Sequence, residues 1–220
     1  MPAGCRLAGT TIEKGIRPES QESVINLAKR KRTLRERAQA NRRGQERKDE
    51  LSREIVARFM QLPEYRAAKT VMFYLDVRTE VRTRHDLQAA LDSAKKIVVP
   101  WCLSGELELF HLENIDELKT GMYKILEPRS ELRKVKSKSV EVAELDLIMV
   151  PGVAFDRRGA RMGHGKGYYD KLLRHARRDA PLVAIAFECQ LFAGIPTEDH
   201  DIFMDMILTE KETYQGQGRS

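Results

Sequence analysis

The segment from Arg161 to Asp170 combines three alternating glycines with basic, aromatic and acidic side chains. It reads RMGHGKGYYD and follows a second glycine-containing stretch, PGVAFD, which begins at Pro151. Glycine reaches positive φ without a Cβ penalty, so successive N–H groups can point into one concavity and a phosphate can approach the main chain closely. The segment therefore predicts a phosphate-binding loop. The alternative is a turn in which the glycines serve only for bending.

Strand and helix signals flank this loop. Residues 145–150 form a short apolar run typical of a buried strand, and the stretch from Tyr168 to Arg178 has apolar residues at helical spacing. A helix N-terminus after the loop would add free N–H groups and partial positive charge to a phosphate site. The glycine spacing matches neither G-x-x-x-x-G-K-[ST] nor G-x-G-x-x-G, so it decides against both of these better-known phosphate loops.

Length and composition indicate a globular protein with a single substantial core. The chain has 220 residues, of which 41% are hydrophobic and 33% charged. No apolar stretch approaches the roughly 20 residues that cross a bilayer, and we expect a cytoplasmic protein without a membrane partner. The three cysteines and five histidines show neither a disulfide framework nor metal-ligand spacing.

Positive charge is concentrated near the amino terminus. The net charge is +6, and the segment from Ala28 to Lys48 holds ten Lys or Arg residues against two Glu. Such a segment would fit nucleic acid, so RNA binding is one alternative function. No aromatic residue is interleaved with these basic side chains, and RNA binding would leave the glycine loop unexplained. We therefore expect no nucleic-acid partner.

The order of elements predicts an α/β fold. Residues 1–22 are expected to be a poorly ordered extension, residues 23–212 a single α/β catalytic domain, and residues 213–220 a flexible tail. A long N-terminal helix is followed by apolar runs that read as strands, at residues 70–75, 96–100, 107–112, 145–150, 182–187 and 206–209. Nearly continuous apolar strands that alternate with helices indicate a mainly parallel sheet covered by helices on both faces. In such sheets the ligand lies beyond the carboxyl ends of the strands.

The long glycine signature resembles that of the 5-formyltetrahydrofolate cyclo-ligase family, also called methenyltetrahydrofolate synthetases. Three other segments resemble the family in order, from about Lys29 to Glu210: KRTLR, which contains Lys31 and Arg35; the stretch from Tyr74 to Thr83; and HD at 200–201 with Asp205. Two positions depart from the family pattern. Met162 stands where leucine is usual, and Arg82 stands where an acidic residue is common.

The resemblance implies an activity and a set of site residues. The family converts 5-formyltetrahydrofolate to 5,10-methenyltetrahydrofolate while ATP and Mg²⁺ yield ADP and phosphate. Residues implied at ATP are Lys31, Arg35, Arg161, Met162, Gly163, His164, Gly165, Lys166, Gly167, Tyr168 and Tyr169. Residues implied at the folate are Leu75, Glu80, His164, Gly165, Lys166, Gly167 and Tyr168. Asp170 and Asp201 are implied at Mg²⁺. We expect a monomer whose folate substrate can carry a polyglutamate chain.

The residue types suit a phosphoryl transfer that activates the formyl oxygen. Because an amide oxygen is a poor leaving group, ring closure requires its conversion to a phosphate ester, an iminophosphate, and this step asks chiefly for positioning and charge neutralisation. Arg161 can pair two phosphoryl oxygens with its planar guanidinium, and Lys166 adds a second cation, so we predict these two residues as catalytic. An enzyme of the same fold that acts on another amide-like substrate is a further alternative.

Most of these residues also have a purely structural interpretation. Arg161 could form a salt bridge with a nearby carboxylate, and Lys166 could be a surface charge. Lys31 and Arg35 share a helix face at i, i+4, which is typical of a solvated basic helix. Asp201 could be a turn residue and Glu80 an isolated loop carboxylate. The two tyrosines of the loop could stack on a ring or pack in the core.

Overall fold

The computed structural model describes residues 19–121, 125–198 and 201–219, which form a mixed α/β fold. Its helices are α1 (Glu19–Gly44), α2 (Lys48–Gln61), α3 (Pro63–Ala67), α4 (Leu87–Leu91) and α5 (Tyr168–Leu173). Most of the extension expected at residues 1–22 lies outside the described residues, whereas helix α1 already begins at Glu19. None of these helices is long and apolar enough to cross a membrane.

The described strands, numbered along the chain, form one large sheet and two small ones. They are β1 (Thr70–Met72), β2 (Lys96–Leu103), β3 (Glu106–Leu112), β4 (Leu118–Thr120), β5 (Leu126–Pro128), β6 (Ser139–Val140), β7 (Leu147–Val150), β8 (Ala154–Asp156), β9 (Arg161–Met162), β10 (Leu182–Ile185), β11 (Leu191–Phe192), β12 (Met206–Leu208) and β13 (Thr213–Gln215). The large sheet has the order β13-β12-β10-β7-β1-β2-β3-β6.

The centre of the large sheet is parallel. Strands β12, β10, β7, β1 and β2 pair in parallel, while β13 at one edge and β3 and β6 at the other pair antiparallel. Each of the six apolar runs singled out in the sequence overlaps one of these strands. The predicted mainly parallel α/β sheet is therefore confirmed.

Alternate residues of the central strands pack into two separate apolar clusters. Val71 and Leu147 join the cluster that includes Phe59 of α2, whereas Met72 and Ile148 join the cluster that includes residues of α5. This alternation follows from the two-residue period of a strand, and it means that both faces of the sheet are buried. Helices therefore cover both faces, as predicted.

Helix α1 packs against the small sheet of β11, β8 and β9. Ala38 of α1 is fully buried in a cluster with Ala154 and Met162 of that sheet, so a small side chain lets the helix approach closely. The helix ends at Gly44, and the ammonium of Lys48 donates to the Arg43 carbonyl at 2.9 Å. This packing brings the basic face of α1 against the glycine loop.

Two elements differ from the sequence expectations. Helix α5 ends at Leu173 rather than Arg178, because the chain tightens into i→i+3 turns, with His175 N donating to Leu172 O at 3.1 Å. The residues expected to form a flexible tail begin with strand β13, which pairs with β12. The sequence did not reveal this edge strand because it contains no apolar run; backbone pairing with β12 and the partly buried Tyr214 help to hold it to the sheet.

Candidate functional site

The glycine loop faces helix α1 across a cleft of about 160 Å³. The residues lining it come from three distant parts of the chain: Lys31 and Arg35 from α1; Arg161, Met162, Gly163, Gly165, Gly167 and Asp170 from β9, the loop and α5; and Pro196, Glu198 and Asp201 from the segment before β12. Small-molecule pockets typically measure about 300–1,000 Å³, so this cleft can hold only part of a nucleotide.

The glycine loop presents its backbone to the cleft. Gly165 and Gly167 have φ of 92° and 69°, in the left-handed region that favours glycine. All three alternating glycines line the cleft, whereas the side chains of His164 and Lys166 between them are exposed. Arg35 Nε donates to the Gly163 carbonyl at 3.0 Å and fixes the loop to helix α1. The loop thus offers main-chain N–H groups and nearby cations to an anion.

Arg161 is a fixed cation on the cleft wall. Its side chain is only 3% exposed, one guanidinium nitrogen forms an ion pair with Asp170, and Nη1 donates to Pro151 O at 3.3 Å. Its Nε is buried and has no hydrogen-bond partner among the described residues. The salt bridge that the sequence left open is therefore present, and it still leaves part of the guanidinium available.

Lys31 is held by the segment that precedes β12. Its ammonium lies 2.5 Å from Glu198 Oε2 and 3.5 Å from Asp201 Oδ2, and its side chain is 16% exposed. Glu198 N also donates to Asp201 Oδ2 at 2.8 Å, which places both carboxylates at the same rim of the cleft. His200, which is part of the family resemblance, lies outside the described residues.

The carboxylates of the cleft suit Mg²⁺ only together with phosphate. Asp170 and Asp201 both line it, and the part of the chain that the structure describes contains no group of three or more His, Cys, Asp or Glu that could hold a metal alone. Mg²⁺ is usually bound by one or two carboxylates, waters and substrate phosphates rather than by an all-protein cage. The donor set therefore fits a magnesium ion that arrives with a nucleotide.

Glu80 lies on a second loop, which follows strand β1. Its carboxylate is 5% exposed, and it accepts a hydrogen bond from Val77 N at 3.0 Å. Burial raises the pKa of Glu80 to about 7, despite the opposing effect of that bond and of the positive charge of Arg42. Leu75, on the same loop, is buried in the core cluster that contains Trp101. The loop therefore carries a carboxyl group whose pKa lies near neutral pH.

Tyr169 connects this second loop to the glycine loop. Burial, and then the nearby charge of Glu80, raise the pKa of the Tyr169 phenol well above its usual range, and Arg161 opposes the shift. The Arg161 guanidinium also lies 5.7 Å from the centre of the Tyr169 ring. Glu80 and Arg161 therefore act electrostatically, in opposite directions, on the same phenol.

Several predicted residues do not line the 160 Å³ cleft. These are Leu75, Glu80, His164, Lys166, Tyr168 and Tyr169. Lys166 Nζ lies 5.7 Å from the centre of the Tyr168 ring. Partial loss of hydration, although the residue is exposed overall, and the charges of neighbouring arginines lower the pKa of His164, so this imidazole is neutral at physiological pH.

Sequence reasoning missed two charged residues of this region. Glu198 contacts Lys31 directly, and Arg42 of α1 is almost fully buried beside the second loop. The spacing could have revealed Arg42, because it follows Lys31 and Arg35 at i+11 and i+7 and so lies on the same helix face. No local signal distinguishes Glu198 from other loop carboxylates.

The chain is similar to proteins of one family along most of its length. The sequence model of the 5-formyltetrahydrofolate cyclo-ligase family matches residues 27–210. A Schizosaccharomyces pombe protein named "Probable 5-formyltetrahydrofolate cyclo-ligase" is 31% identical over 178 residues, which cover 74% of this chain and 86% of that protein. The Escherichia coli K12 5-formyltetrahydrofolate cyclo-ligase is 28% identical over 77% of this chain and 93% of its own.

A solved structure extends the similarity to the fold. The 5,10-methenyltetrahydrofolate synthetase of Aquifex aeolicus matches with a TM-score of 0.73 and 31% identity, over 86% of this chain and 95% of that chain. The match of the family's sequence model to well over half of the chain and this shared fold lead to one conclusion: the chain belongs to the 5-formyltetrahydrofolate cyclo-ligase family.

Proposed function

We propose that the protein converts 5-formyltetrahydrofolate to 5,10-methenyltetrahydrofolate, with ATP as co-substrate and release of ADP and phosphate. One observation carries the proposal: a single cleft joins the cations of α1, the backbone of the glycine loop, Arg161 and three carboxylates. These are the groups that a phosphoryl transfer needs for positioning and charge neutralisation. Family membership supports the folate substrate.

The 160 Å³ cleft would hold the phosphate chain. Lys31, Arg35 and the loop N–H groups would bind its oxygens, and Arg161 would pair with the transferring phosphoryl group. Asp170 and Asp201 would hold Mg²⁺, which when bound neutralises phosphate charge. Lys166 is exposed, so its proposed catalytic contact requires its side chain to turn toward the phosphate.

A neighbouring cleft of about 430 Å³ offers room for the rest of the nucleotide. It shares Pro196 with the smaller cleft, and its lining includes Thr33, Leu34 and Arg37 of α1 and also Gly194. Its volume is in the usual range for a small-molecule site. We place the base and sugar there, with the phosphates directed toward the glycine loop.

The second loop would hold the folate. Glu80 would accept hydrogen bonds from ring N–H groups, and Leu75 would provide an apolar contact, with residues 164–168 of the glycine loop on the other side. The formyl oxygen would attack the γ-phosphate, ADP would leave, and the second folate nitrogen would add to the carbon of the iminophosphate. Phosphate would then leave as the methenyl bridge forms.

The basic segment gives limited support to the RNA-binding alternative. Lys31 and Arg35 line the cleft, and Arg42 is buried, so part of the positive charge of α1 is directed into the protein. We propose a cytoplasmic monomer that acts on a small molecule, which can carry a polyglutamate chain, without a nucleic-acid or membrane partner.

The direct test is incubation of the purified protein with 5-formyltetrahydrofolate, ATP and Mg²⁺ while the absorbance of the methenyl product is followed. We expect the chromophore to appear only when all three components are present. Nucleotide binding without a chromophore would favour the alternative of another amide-like substrate. RNA or heparin binding with a steep salt dependence and no turnover would favour the RNA-binding alternative.

A further inference from the structure

Arg42 is a buried cation that the family resemblance does not assign. It lies on α1, three turns after Lys31, and only 2% of it is exposed. No carboxylate of the described residues lies within 4 Å of its guanidinium, although buried charges are normally paired. Burial lowers the pKa of Arg42, and the charge of Glu80 opposes that shift. Burial of this charge is energetically unfavourable, so we expect Arg42 to have a function that offsets the loss of stability.

The guanidinium of Arg42 joins helix α1 to two loops. Nε donates to Thr79 Oγ1 at 2.9 Å, on the loop after β1, and Nη1 donates to Gly152 O at 3.2 Å, directly after β7. The Gly152 carbonyl also accepts from Gln190 Nε2 at 3.0 Å, so this anchor point is itself fixed. One side chain therefore sets the position of the second loop relative to the strand end that leads to the glycine loop.

The turn that carries Glu80 needs such an anchor. Within it, Glu80 N donates to Val77 O at 3.2 Å, Val77 N donates to the Glu80 carboxylate, and Arg78 has a φ of 57°. A non-glycine residue in the left-handed region is strained and persists only where its surroundings hold it. Among the described residues, the bond from Arg42 to Thr79 is the one hydrogen bond that reaches residues 77–80 from outside the turn.

We propose that Arg42 is a positioning residue for the folate-side loop: its bonds to Thr79 and Gly152 hold Glu80 in the geometry that binds 5-formyltetrahydrofolate. The inference rests on the proposed function, because it takes the loop from Leu75 to Glu80 as the folate side of the site. It assigns to Arg42 an effect on folate affinity and none on the phosphate cleft, which Arg42 does not line.

Two substitutions separate the charge of Arg42 from its hydrogen bond. Arg42→Met removes both, whereas Thr79→Val removes only the acceptor and keeps the guanidinium and the volume of the side chain. Arg58→Met is the matched control, because Arg58 also donates to one backbone carbonyl, that of Thr209, and to one threonine hydroxyl, that of Thr213, at the far edge of the sheet. Affinities for 5-formyltetrahydrofolate and for ATP with Mg²⁺ are measured separately by titration calorimetry.

We expect Arg42→Met to weaken 5-formyltetrahydrofolate binding about tenfold or more, and Thr79→Val to weaken it several-fold, with ATP affinity within about twofold of the parent in both. Arg58→Met should change neither affinity. Equal losses for both ligands, or no loss of folate affinity in Thr79→Val, would refute the positioning role. If the parent binds neither ligand, the proposed function fails instead.

The pH dependence of 5-formyltetrahydrofolate affinity gives a second measurement, which a substitution with a purely structural effect would leave unchanged. The groups that act on the Glu80 charge are Arg42 from α1, Asp76 and Arg78 from its own loop, Tyr74 after β1, and Tyr169 from α5. Arg42 favours the ionised carboxylate, so its removal should raise the pH midpoint of folate binding. Thr79→Val keeps the guanidinium and should leave that midpoint in place.

Discussion

Lys31 Nζ lies 2.5 Å from Glu198 Oε2, at the rim of the cleft that we propose for the phosphate chain. The Lys31 ammonium is mostly buried, whereas the Glu198 side chain is 44% exposed. In this geometry the carboxylate lies where a phosphate oxygen would contact the same ammonium. A nucleotide that binds there as we propose would therefore compete with Glu198 for Lys31.

Glu198→Gln should tighten ATP binding. The substitution keeps the shape of the side chain and removes the charge that competes for Lys31. Partly exposed ion pairs contribute about 0.2–1 kcal/mol, so we expect a gain of about 1.4- to fivefold. Glu36→Gln is the control, because this substitution makes the same change in net charge. Glu36 pairs with Arg32 on the exposed side of α1, the helix that carries Lys31. Weaker binding in Glu198→Gln would show instead that Glu198 helps to hold the nucleotide or its metal.

Arg161→Met should lower kcat more than it changes ATP affinity. The guanidinium is already fixed by Asp170 and Pro151 O, so it can stabilise charge that develops during transfer without rearrangement, and losses of about 10²–10³ in kcat are typical for such groups. Arg161→Lys should retain part of the rate, because it keeps the charge but not the planar fork. Single-turnover kinetics at saturating substrate measures the effect.

The control for this pair is Arg157→Met, which removes an exposed arginine that stacks on Tyr214 at 5.2 Å, outside the cleft. Its kcat should remain that of the parent. If Arg161→Met retains the parental kcat and only unfolds more easily, then Arg161 serves stability through its salt bridge with Asp170 and has no role in phosphoryl transfer.

The large sheet was predictable because its central strands are buried on both faces. Such strands read as continuous apolar runs, of which residues 145–150 are an example, and the runs of all five central parallel strands could be found. Strand β13 and the two-residue strands β9 and β11 escaped because each is too short to give a recognisable apolar run. The early end of α5 escaped because the apolar spacing continues to Ala176, beyond the last helical hydrogen bond.

For the site, residue types were predictable and side-chain partners were not. Motif and spacing pointed to Arg161 and Asp170 separately, yet their mutual ion pair depends on how β9 and α5 meet. The pKa of Glu80 likewise depends on its burial and on the charge of Arg42 of α1, which is far from it in sequence. Non-local packing of this kind determines the charge state of a group, and no pattern within one segment encodes it.

Glu80 should make the stability of the protein depend on pH. Its pKa is about 7 in the folded state against 4.5 when unperturbed, so the folded protein binds more protons than the unfolded chain between these values. Its contribution to the free energy of unfolding is therefore fully present below about pH 4.5 and is lost as pH rises through 7, by about 3 kcal/mol at most.

Glu80→Gln should abolish this dependence. Urea unfolding gives the free energy of unfolding of the parent and of the variant at pH 5 and pH 8. Subtracting the variant's value from the parent's at each pH removes the effect of titrations common to both proteins, including that of His164. We expect the parent to lose stability relative to the variant over this interval. A constant difference across the interval would mean that the Glu80 carboxylate is ionised in the folded protein at both pH values.

Gly165→Ala should weaken ATP binding because it strains the backbone of the glycine loop, and not because the added Cβ clashes with a neighbour. A Cβ at this position would lie 3.7 Å from Arg35 Cζ, an ordinary contact, but the φ of 92° is strained for alanine. Relief of that strain would turn main-chain N–H groups away from the phosphates, so we expect ATP affinity to fall about tenfold. Titration calorimetry with ATP and Mg²⁺ measures the loss.

Gly105→Ala is the matched control for the backbone effect. Gly105 has a φ of 89° in the turn between β2 and β3, and a Cβ there would have no atom of the described residues within 4 Å. Both variants should lose about 1–3 kcal/mol of stability from the same strain, whereas only Gly165→Ala should also lose ATP affinity. Equal ATP affinity in the two variants would mean that the backbone of the glycine loop does not bind the nucleotide.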